Sequence, residues 1–310
     1  MFGANEIVGK KYFDKAASDQ LFVTSMFMTL QGEGPYRGQP AFFVRLAKCN
    51  LACSFCDTFF DDGDWLTFDQ IEERIEKAID AFYVSKNMDR PAWTKYTPAR
   101  QGSFQDPADG HWYGPWTDVV KRKMVLVITG GEPMLQNNLG PFLERMSKTF
   151  QNTQIESNGT QNTWIPDSTT LVCSPKCLEK NGVAIKYLAV RPEVLARADC
   201  LKFVMEADPA SPYSTIPDWA HEWAAKTGKQ VFISPMNVYN KIPQKAKDLR
   251  AKTNSISIEE RSTVDEVISF WEPGLLNMDE NQKNHEYVAQ YCVQHGYIMN
   301  LQIHLYGSLA

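Results

Sequence analysis

Short apolar runs recur along the chain, and amphipathic segments with apolar residues three or four positions apart lie between them. The runs end in glycine, serine, proline or a charged residue, and several, such as MVLVIT, are continuously apolar. Continuously apolar runs are typical of parallel strands that are buried on both faces. The pattern predicts strands over residues 25–30, 41–47, 124–129, 154–157, 170–173, 200–205, 230–234 and 298–304.

One amphipathic segment carries a clear helix signal. At its start Gln70 follows Thr67 by three positions, which has the form of a capping box. Apolar residues then follow at three- and four-residue spacing and form a single stripe, which predicts a helix over residues 67–84. The stripe consists of Phe68, Ile71, Ile75, Ile79 and Phe82.

Two further helices are predicted near residues 217–227 and 279–295. They should end at Gly228 and Gly296, because a left-handed C-terminal cap favours glycine. Strands that alternate with helices over most of the chain predict an α/β fold, and a partial (β/α) barrel fits the pattern. In such folds ligands gather at the carboxyl ends of the strands.

Two stretches interrupt this alternation. Residues 85–121 combine prolines and tryptophans without a sustained period, and residues 237–276 are basic at first and then partly helical. We interpret both stretches as insertions on one core, so that residues 1–310 form a single domain.

Composition narrows the class of protein. The formal charge is −5, from 32 Lys and Arg against 37 Asp and Glu, which argues against a general basic surface for nucleic acid. The N-terminal segment has no secretory-type apolar core and no later run approaches membrane-spanning length, so we expect a cytoplasmic protein that binds no membrane. In that compartment the seven cysteines are expected to be thiols or metal ligands.

Three cysteines form a CxxxCxxC pattern after a predicted strand: Cys49, Cys53 and Cys56. A structural zinc site normally needs four ligands in two separated pairs, whereas this loop offers three thiols and no neighbouring histidine. Three thiolates fit a 4Fe–4S cluster with one iron left open for a substrate or cofactor. Zinc binding and buried cysteines without a metal are the alternatives. The other cysteines are interpreted as packed thiols: Cys173, Cys177, Cys200 and Cys292.

With the aromatic Phe55 before its last cysteine, this loop resembles the cluster loop of the radical S-adenosylmethionine superfamily. Further blocks, in family order, resemble the 7-carboxy-7-deazaguanine synthase family: LQGEG, FVRL, ITGGEP, ESNGT, SPK and LQIHLY. Together they span residues 25–310 and leave the first 24 residues and both insertions outside.

The resemblance implies a lyase that converts 6-carboxy-5,6,7,8-tetrahydropterin to 7-carboxy-7-deazaguanine and ammonia. The reaction is a radical ring contraction in 7-deazapurine (queuosine-type) biosynthesis. The implied cofactors are a 4Fe–4S cluster, S-adenosyl-L-methionine and Mg²⁺, with a 5′-deoxyadenosyl radical taking a hydrogen from the substrate. The resemblance further implies a homodimer and a flavodoxin- or ferredoxin-type electron donor.

The same resemblance implies Glu33, Arg45 and His304 as catalytic residues. Arg45 lies within an apolar strand and needs a buried partner or a bound anion; the pterin carboxylate fits, and a structural salt bridge is the alternative. The terminal carboxylate of Ala310 is implied to reach the substrate. The residues implied to bind the substrate are Leu30, Gln31, Gly32, Glu33, Arg45, Thr129, His304 and Ala310.

Several segments are implied to bind S-adenosylmethionine. Glu132 can accept hydrogen bonds from the ammonium of its methionine end, and a tight turn with a solvated glutamate is the alternative. Thr58 is implied as a Mg²⁺ ligand, whereas the residue alone favours a cap or turn. The SPMN sequence at 234–237 departs from the QP-type sequence of the family. The implied residues are Phe55, Cys56, Asp57, Gly130, Gly131, Glu132, Ser157, Asn158, Ser174, Pro175, Lys176, Ser234, Pro235, Met236 and Asn237.

Two other functions share parts of this pattern. A radical-activating enzyme that takes hydrogen from a partner protein would have the cysteine loop without needing LQGEG, Arg45 or a Mg²⁺ threonine. A non-enzymatic iron–sulfur or zinc module would need the cysteines alone.

Overall fold

The structure is a computed structural model and describes residues 6–56, 58–97, 101–105, 112–117, 120–241, 244–252, 257–265 and 274–303. Its strands are β1 (Gln20–Leu30), β2 (Pro40–Leu46), β3 (Asp64–Thr67), β4 (Gln101–Gln105), β5 (Trp112–Thr117), β6 (Arg122–Gly130), β7 (Phe150–Ser157), β8 (Thr169–Cys173), β9 (Cys177–Lys180), β10 (Val183–Tyr187), β11 (Cys200–Met205), β12 (Val231–Pro235) and β13 (Ile298–Met299). Its helices are α1 (Phe68–Ser85), α2 (Leu139–Met146), α3 (Pro192–Arg197), α4 (Asp218–Thr227), α5 (Gln244–Ala251), α6 (Ile258–Asp265) and α7 (Met278–His295).

A nine-stranded sheet runs through the molecule in the order β13-β12-β11-β8-β7-β6-β2-β1-β3. From β13 to β2 the neighbouring strands are parallel, while β1 is antiparallel to both β2 and β3. This confirms the predicted α/β class. Since the described strands leave the sheet open at β13 and β3, the architecture fits a partial barrel.

All eight predicted strands lie in this sheet, although several of their ends differ; β7, for example, begins at Phe150, four residues before its predicted start. β1 begins five residues before its predicted start, at Gln20. β13 covers only Ile298–Met299, because its partner β12 ends in Pro235, which has no N–H to extend the ladder. The prediction missed β3 and two separate hairpins, β4–β5 and β9–β10.

The predicted helix caps are confirmed. The side-chain oxygen of Thr67 accepts a hydrogen bond from Gln70 N at 3.2 Å, and Gln70 Oε1 accepts one from Thr67 N at 2.9 Å. Gly228 and Gly296 cap α4 and α7 with left-handed φ values of 68° and 71°. The buried stripe of α1 ends on Tyr83. The prediction placed Phe82 at this end, and Phe82 is only partly buried. In the part of the chain that the structure describes, no helix is long and apolar enough to cross a membrane.

The second predicted insertion contributes a helix that lies against the outer part of the sheet. β3 pairs with β1 only as far as Val23, and α6 takes over beyond that point. The side chain of Arg261, 2% exposed, donates from Nε to Thr24 O at 2.7 Å and from Nη2 to Asp64 Oδ2 at 2.7 Å. Ser262 Oγ accepts a hydrogen bond from Met26 N, also in β1, at 3.0 Å. The helix therefore hydrogen-bonds to β1 beyond the last residue that pairs with β3.

Candidate active site

The carboxyl ends of the parallel strands meet around a pocket. β6 ends in Gly130, β7 in Ser157 and β12 in Pro235, and all three residues line it. Most of the predicted site residues are brought together here: Gln31, Gly32, Glu33, Arg45, Cys49, Cys53, Phe55, Cys56, Thr58, Thr129, Gly130, Gly131, Glu132, Ser157, Asn158, Ser174, Lys176, Ser234, Pro235 and Asn237.

Three described residues of the predicted set do not line the pocket: Leu30, Pro175 and Met236. The Met236 side chain packs against Cys177 and Tyr213 instead, because its backbone N–H continues the strand ladder. Three others lie outside the described residues: Asp57, His304 and Ala310.

The two glycines after β6 lie tightly against the start of the cysteine loop. A Cβ on Gly130, whose φ is 116°, would lie 2.2 Å from Leu46 O, and one on Gly131 would lie 1.7 Å from Lys48 O. Backbone hydrogen bonds seal this contact, from Gly131 N to Leu46 O at 2.9 Å and from Glu132 N to Lys48 O at 3.0 Å. Glycine is required here because two backbones approach each other, and both glycines still line the pocket.

The Glu132 carboxylate is buried at the floor of the pocket. Its Oε1 accepts from Ser157 Oγ at 2.8 Å and from Met134 N at 3.0 Å, and its Oε2 accepts from Asn158 N at 2.7 Å. Burial raises the pKa of Glu132, while these hydrogen bonds oppose the shift. The carboxylate therefore ties the end of β6 to the end of β7.

The cysteine loop is held from two sides. Asn50 Nδ2 donates to Thr160 Oγ1 at 2.7 Å, and Ser54 N donates to Glu179 Oε2 at 2.7 Å. The second bond comes from the β9–β10 hairpin, which sequence reasoning missed. The ring of Phe55 meets Tyr213 edge-on, with ring centres 5.2 Å apart. Loop residues between the cysteines are thus fixed by partners far away in sequence.

A buried lysine, Lys202, joins two carboxylates, Glu33 and Glu156, in the lining of the same pocket, and these three residues are called the lysine cluster. Lys202 Nζ lies 2.5 Å from Glu33 Oε2 and also contacts Glu156 Oε2. Ser234 Oγ donates to Glu33 Oε1 at 2.9 Å, and Gln31 Nε2 donates to Glu156 Oε1 at 3.3 Å. Burial by itself lowers the pKa of Lys202, but the facing carboxylates outweigh burial and raise this pKa well above its ordinary value. The lysine is therefore an ammonium that orients both acids.

Arg45 lies beside aromatic side chains in the same pocket. In β2, Arg45 lies opposite Ser25 of the neighbouring strand β1 and Thr129 of the neighbouring strand β6. Its guanidinium carbon lies 5.0 Å from the ring centre of Phe27, which stacks on Phe43 with ring centres 5.3 Å apart. The wall thus combines a fixed cation with flat apolar surface.

Comparison with known proteins agrees with this arrangement. No model of a protein family matches the chain. A 7-carboxy-7-deazaguanine synthase of Rickettsia prowazekii is 30% identical over 259 residues, which cover 84% of this chain and 88% of that protein. The chain belongs to the 7-carboxy-7-deazaguanine synthase family. The family predicted from the sequence blocks is therefore confirmed, and the protein is an enzyme.

Two other comparisons are with a second relative and with a solved structure. The 7-carboxy-7-deazaguanine synthase of Rhodospirillum rubrum is 29% identical over 219 residues, covering 70% of this chain and 71% of its own. A crystal structure of QueE from Escherichia coli covers 95% of this chain and 98% of its own, with 18% identity and a TM-score of 0.48.

The cysteines of this family member fit a metal cluster through their chemistry. All three are free thiols that line the pocket; burial raises the pKa of Cys49 well above its ordinary value and that of Cys53 to about 11. Among residues 6–303, apart from the gaps in the described ranges, no three His, Cys, Asp or Glu side chains are gathered closely enough for a single metal ion. A cluster of several irons holds its thiolates further apart than one ion does, and iron would displace the thiol protons.

The remaining predicted residues line the same pocket and have their own polar contacts. Lys176 Nζ donates to Ser174 O at 2.7 Å and to Ser174 Oγ at 2.5 Å. Burial, reinforced by the nearby ammonium of Lys202, lowers the pKa of Lys176. Thr58 is buried and its carbonyl accepts from Cys56 Sγ at 3.4 Å. Asn237 Nδ2 donates to Gln302 Oε1 at 2.5 Å.

Sequence reasoning on this family member missed part of the lining. A usable signal existed for Lys202, because a lysine inside the apolar run CLKFVM needs buried counter-charges just as Arg45 does. Glu156 belongs to the ESNGT block but received no role. The apolar residues of the lining have no sequence feature that distinguishes them from ordinary core residues. The missed residues are Phe27, Met28, Thr29, Phe43, Leu51, Phe60, Glu156, Lys202, Val204, Tyr239 and Gln302.

Proposed function

We propose that this protein converts 6-carboxy-5,6,7,8-tetrahydropterin to 7-carboxy-7-deazaguanine and ammonia. One observation carries the proposal: the cysteine loop and the polar set of Gln31, Glu33 and Arg45 line the same pocket. The name shared by the relatives supports the same reaction. As a carbon–nitrogen lyase, the protein would serve 7-deazapurine biosynthesis of the queuosine type.

The proposed cofactors divide the pocket between them. Cys49, Cys53 and Cys56 would hold a 4Fe–4S cluster, and the ends of β6, β7, β8 and β12 would hold S-adenosylmethionine. When bound, these two groups supply the 5′-deoxyadenosyl radical that takes a hydrogen atom from the carbon bearing the substrate carboxylate. A homodimer and a flavodoxin- or ferredoxin-type donor complete the proposal.

The substrate would lie between Arg45 and the lysine cluster. The guanidinium of Arg45 offers two parallel N–H donors to the pterin carboxylate. Glu33 and Gln31 offer the acceptors and donors that the polar edge of a pterin requires, and Lys202 fixes the direction of Glu33. Phe27 and Phe43 keep water from the flat face of the ring. Glu33 can hold a proton released by the substrate.

Three proposed contacts rest on the family alone. His304 and the carboxylate of Ala310 would contact the substrate, and Thr58 would be the protein ligand of Mg²⁺. A single protein oxygen fits Mg²⁺, because this ion keeps several waters and shares oxygens of its substrate. Thr58 is also one of the residues that line the pocket.

The test is an anaerobic activity assay on reconstituted protein. With dithionite, S-adenosylmethionine, Mg²⁺ and the carboxytetrahydropterin, we expect 7-carboxy-7-deazaguanine and ammonia in equal amounts. The Cys53→Ala variant is the matched control, and it should contain less iron and form no product. Cleavage of S-adenosylmethionine without the deazapurine would overturn the proposed reaction, and a colourless protein that binds zinc would overturn the proposed cluster.

A further inference from the structure

The cysteine loop reaches the protein surface on its outer side. Ala52, between the first two cysteines, is exposed, whereas Cys49 is buried and Cys53 is half-buried. An electron must enter a site of the proposed kind from outside, and the rate of electron transfer falls steeply with distance. Ala52 directly precedes Cys53, so the surface around Ala52 lies close to the cysteines.

The β9–β10 hairpin borders this surface on one side. Its acidic residue, Glu179, is directed inward and accepts from Ser54 N at 2.7 Å, which fixes the hairpin against the loop. Lys180 and Lys186 are exposed. Three large apolar side chains of the hairpin are exposed as well, to 43%, 65% and 50% of their surface: Leu178, Val183 and Ile185. The hairpin thus presents lysines and apolar groups outward.

Two more cations border the loop on its other side. Asn50 Nδ2 donates to Thr160 Oγ1, and Arg191 Nε donates to Thr160 O at 2.8 Å. Lys10 Nζ donates to Asn162 O at 2.8 Å. Burial and then the positive charge of Arg191 lower the pKa of Lys10, while the carboxylate of Asp14 opposes the shift, so this side carries two cations and one acid.

Positive charge therefore flanks the loop on both sides, although the whole chain carries a net charge of −5. Local charge of one sign at a functional opening steers partners of the opposite sign. Exposed apolar groups beside such charges are typical of a surface that binds another protein. Lys48, a further nearby cation, already pairs with Glu6 at 2.5 Å.

We infer that the hairpin lysines Lys180 and Lys186, together with Lys10 and Arg191, form the docking surface for an acidic one-electron carrier protein. The inference rests on the proposed function, which requires one electron for each activation. The carrier is oxidised by one electron, and the group held by the cysteines is reduced by the same electron. No other bond forms or breaks at this surface.

The experiment reverses the charge of the hairpin and leaves the pocket untouched. The variant is Lys180→Glu/Lys186→Glu, and its matched control is Lys123→Glu/Lys148→Glu. The control lysines are exposed near the amino ends of β6 and β7, at the other edge of the sheet, and both variants change the net charge equally. Oxidised flavodoxin is titrated into each reconstituted protein by calorimetry, at low and at high salt.

We expect the hairpin variant to weaken flavodoxin binding by about tenfold or more at low salt and to flatten its salt dependence. The control should bind like the wild-type protein, and dithionite-driven cleavage of S-adenosylmethionine should be equal in all three. Equal flavodoxin affinity in the hairpin variant and the wild type, or equal weakening in the control, would overturn the docking surface. A wild-type protein that cleaves no S-adenosylmethionine with dithionite contradicts the proposed function instead, while the titration still decides the docking surface.

Discussion

Lys202 Nζ lies 2.5 Å from Glu33 Oε2, although 169 positions separate the two residues. The same ammonium contacts Glu156, so one buried cation holds two acids from different parts of the chain. Removing it leaves two largely buried carboxylates facing each other without their direct ion-pair partner, although the ammonium of Lys176 also interacts electrostatically with both. That consequence can be measured in the protein without any cofactor.

Lys202→Met should lower the free energy of unfolding by about 3–5 kcal/mol, as expected when one partner of a buried ion pair is removed. Adding Glu156→Gln removes one of the stranded charges and should recover part of the loss. Urea unfolding of the wild type and the two variants measures both effects. A double variant that is less stable than Lys202→Met would contradict the assignment of the loss to carboxylate repulsion.

Arg261→Leu should lower the free energy of unfolding by about 3–5 kcal/mol. The substitution removes the arginine partner of the buried Asp62 and the side-chain donor to Thr24 O. The control lies in contact with the same helix: Arg74→Leu breaks a pair with Glu259, whose side chain is 71% exposed. That surface pair should contribute less than about 1 kcal/mol. Similar losses in the two variants would contradict the difference in burial as the cause.

Gly131→Ala should prevent the cysteine loop from closing on β6, because the new Cβ would meet Lys48 O. We expect a loss of about 3 kcal/mol or more, as for other residues placed against backbone without space, and less iron after reconstitution. Gly9→Ala is the control, since nothing lies within 4 Å of the added Cβ and its φ is −98°. Iron content and urea unfolding are measured on both. Normal iron content in Gly131→Ala would show that the loop tolerates the shift.

The contact between α4 and α7 should make stability depend on pH. His221 Nδ1 lies 2.5 Å from Tyr297 OH, and burial, with the nearby His295, lowers the pKa of His221 below 6.5. A lowered pKa in the folded state means that the unfolded chain takes up the proton first as the pH falls. The contribution of His221 to the free energy of unfolding is therefore fully present above pH 6.5 and decreases as the pH falls below that value.

The variant that tests this dependence is His221→Gln. Between pH 7.5 and about 5.5 the wild type should lose more unfolding free energy than the variant does. Urea unfolding at each pH, with equal ionic strength, gives the two slopes. Parallel slopes would mean that another group governs stability in this range.

Thr58→Ala should raise the Mg²⁺ concentration for half-maximal activity by about tenfold or more, because a metal ligand is removed. The visible spectrum of the reconstituted protein should not change, since the cysteines stay in place. Thr58→Ser retains the hydroxyl and is the matched control. An identical Mg²⁺ titration in Thr58→Ala would remove this residue from the magnesium site.

Local signals predicted the parts of the fold that local physics decides. The capping box of Thr67 and the glycine caps at Gly228 and Gly296 each depend on a few neighbouring residues, and all three were predicted correctly. Continuous apolar runs likewise identified the parallel strands. The β9–β10 hairpin gave no such run, because Leu178, Val183 and Ile185 alternate with charged or small residues and are exposed.

Long-range partners explain the other differences. Nothing near Lys202 in sequence indicates that Glu33 and Glu156 will face it, and nothing near Arg261 indicates a place beside β1. The glycine pair after β6 lines the pocket, and the close contacts that require glycine there are with the backbone of Leu46 and Lys48, which lie far away in sequence. Sequence patterns indicate which residue types a site uses, but the partners that fix them come from the fold.

The backbone bonds between the glycine pair and the cysteine loop also set an order of assembly. Gly131 N reaches Leu46 O only once β6 has paired with β2, and Thr160 reaches Asn50 only once β7 has joined β6. Before that, the cysteine segment lacks these long-range contacts. The proposed cluster would therefore find its three cysteines in place only in a chain whose central strands have already come together.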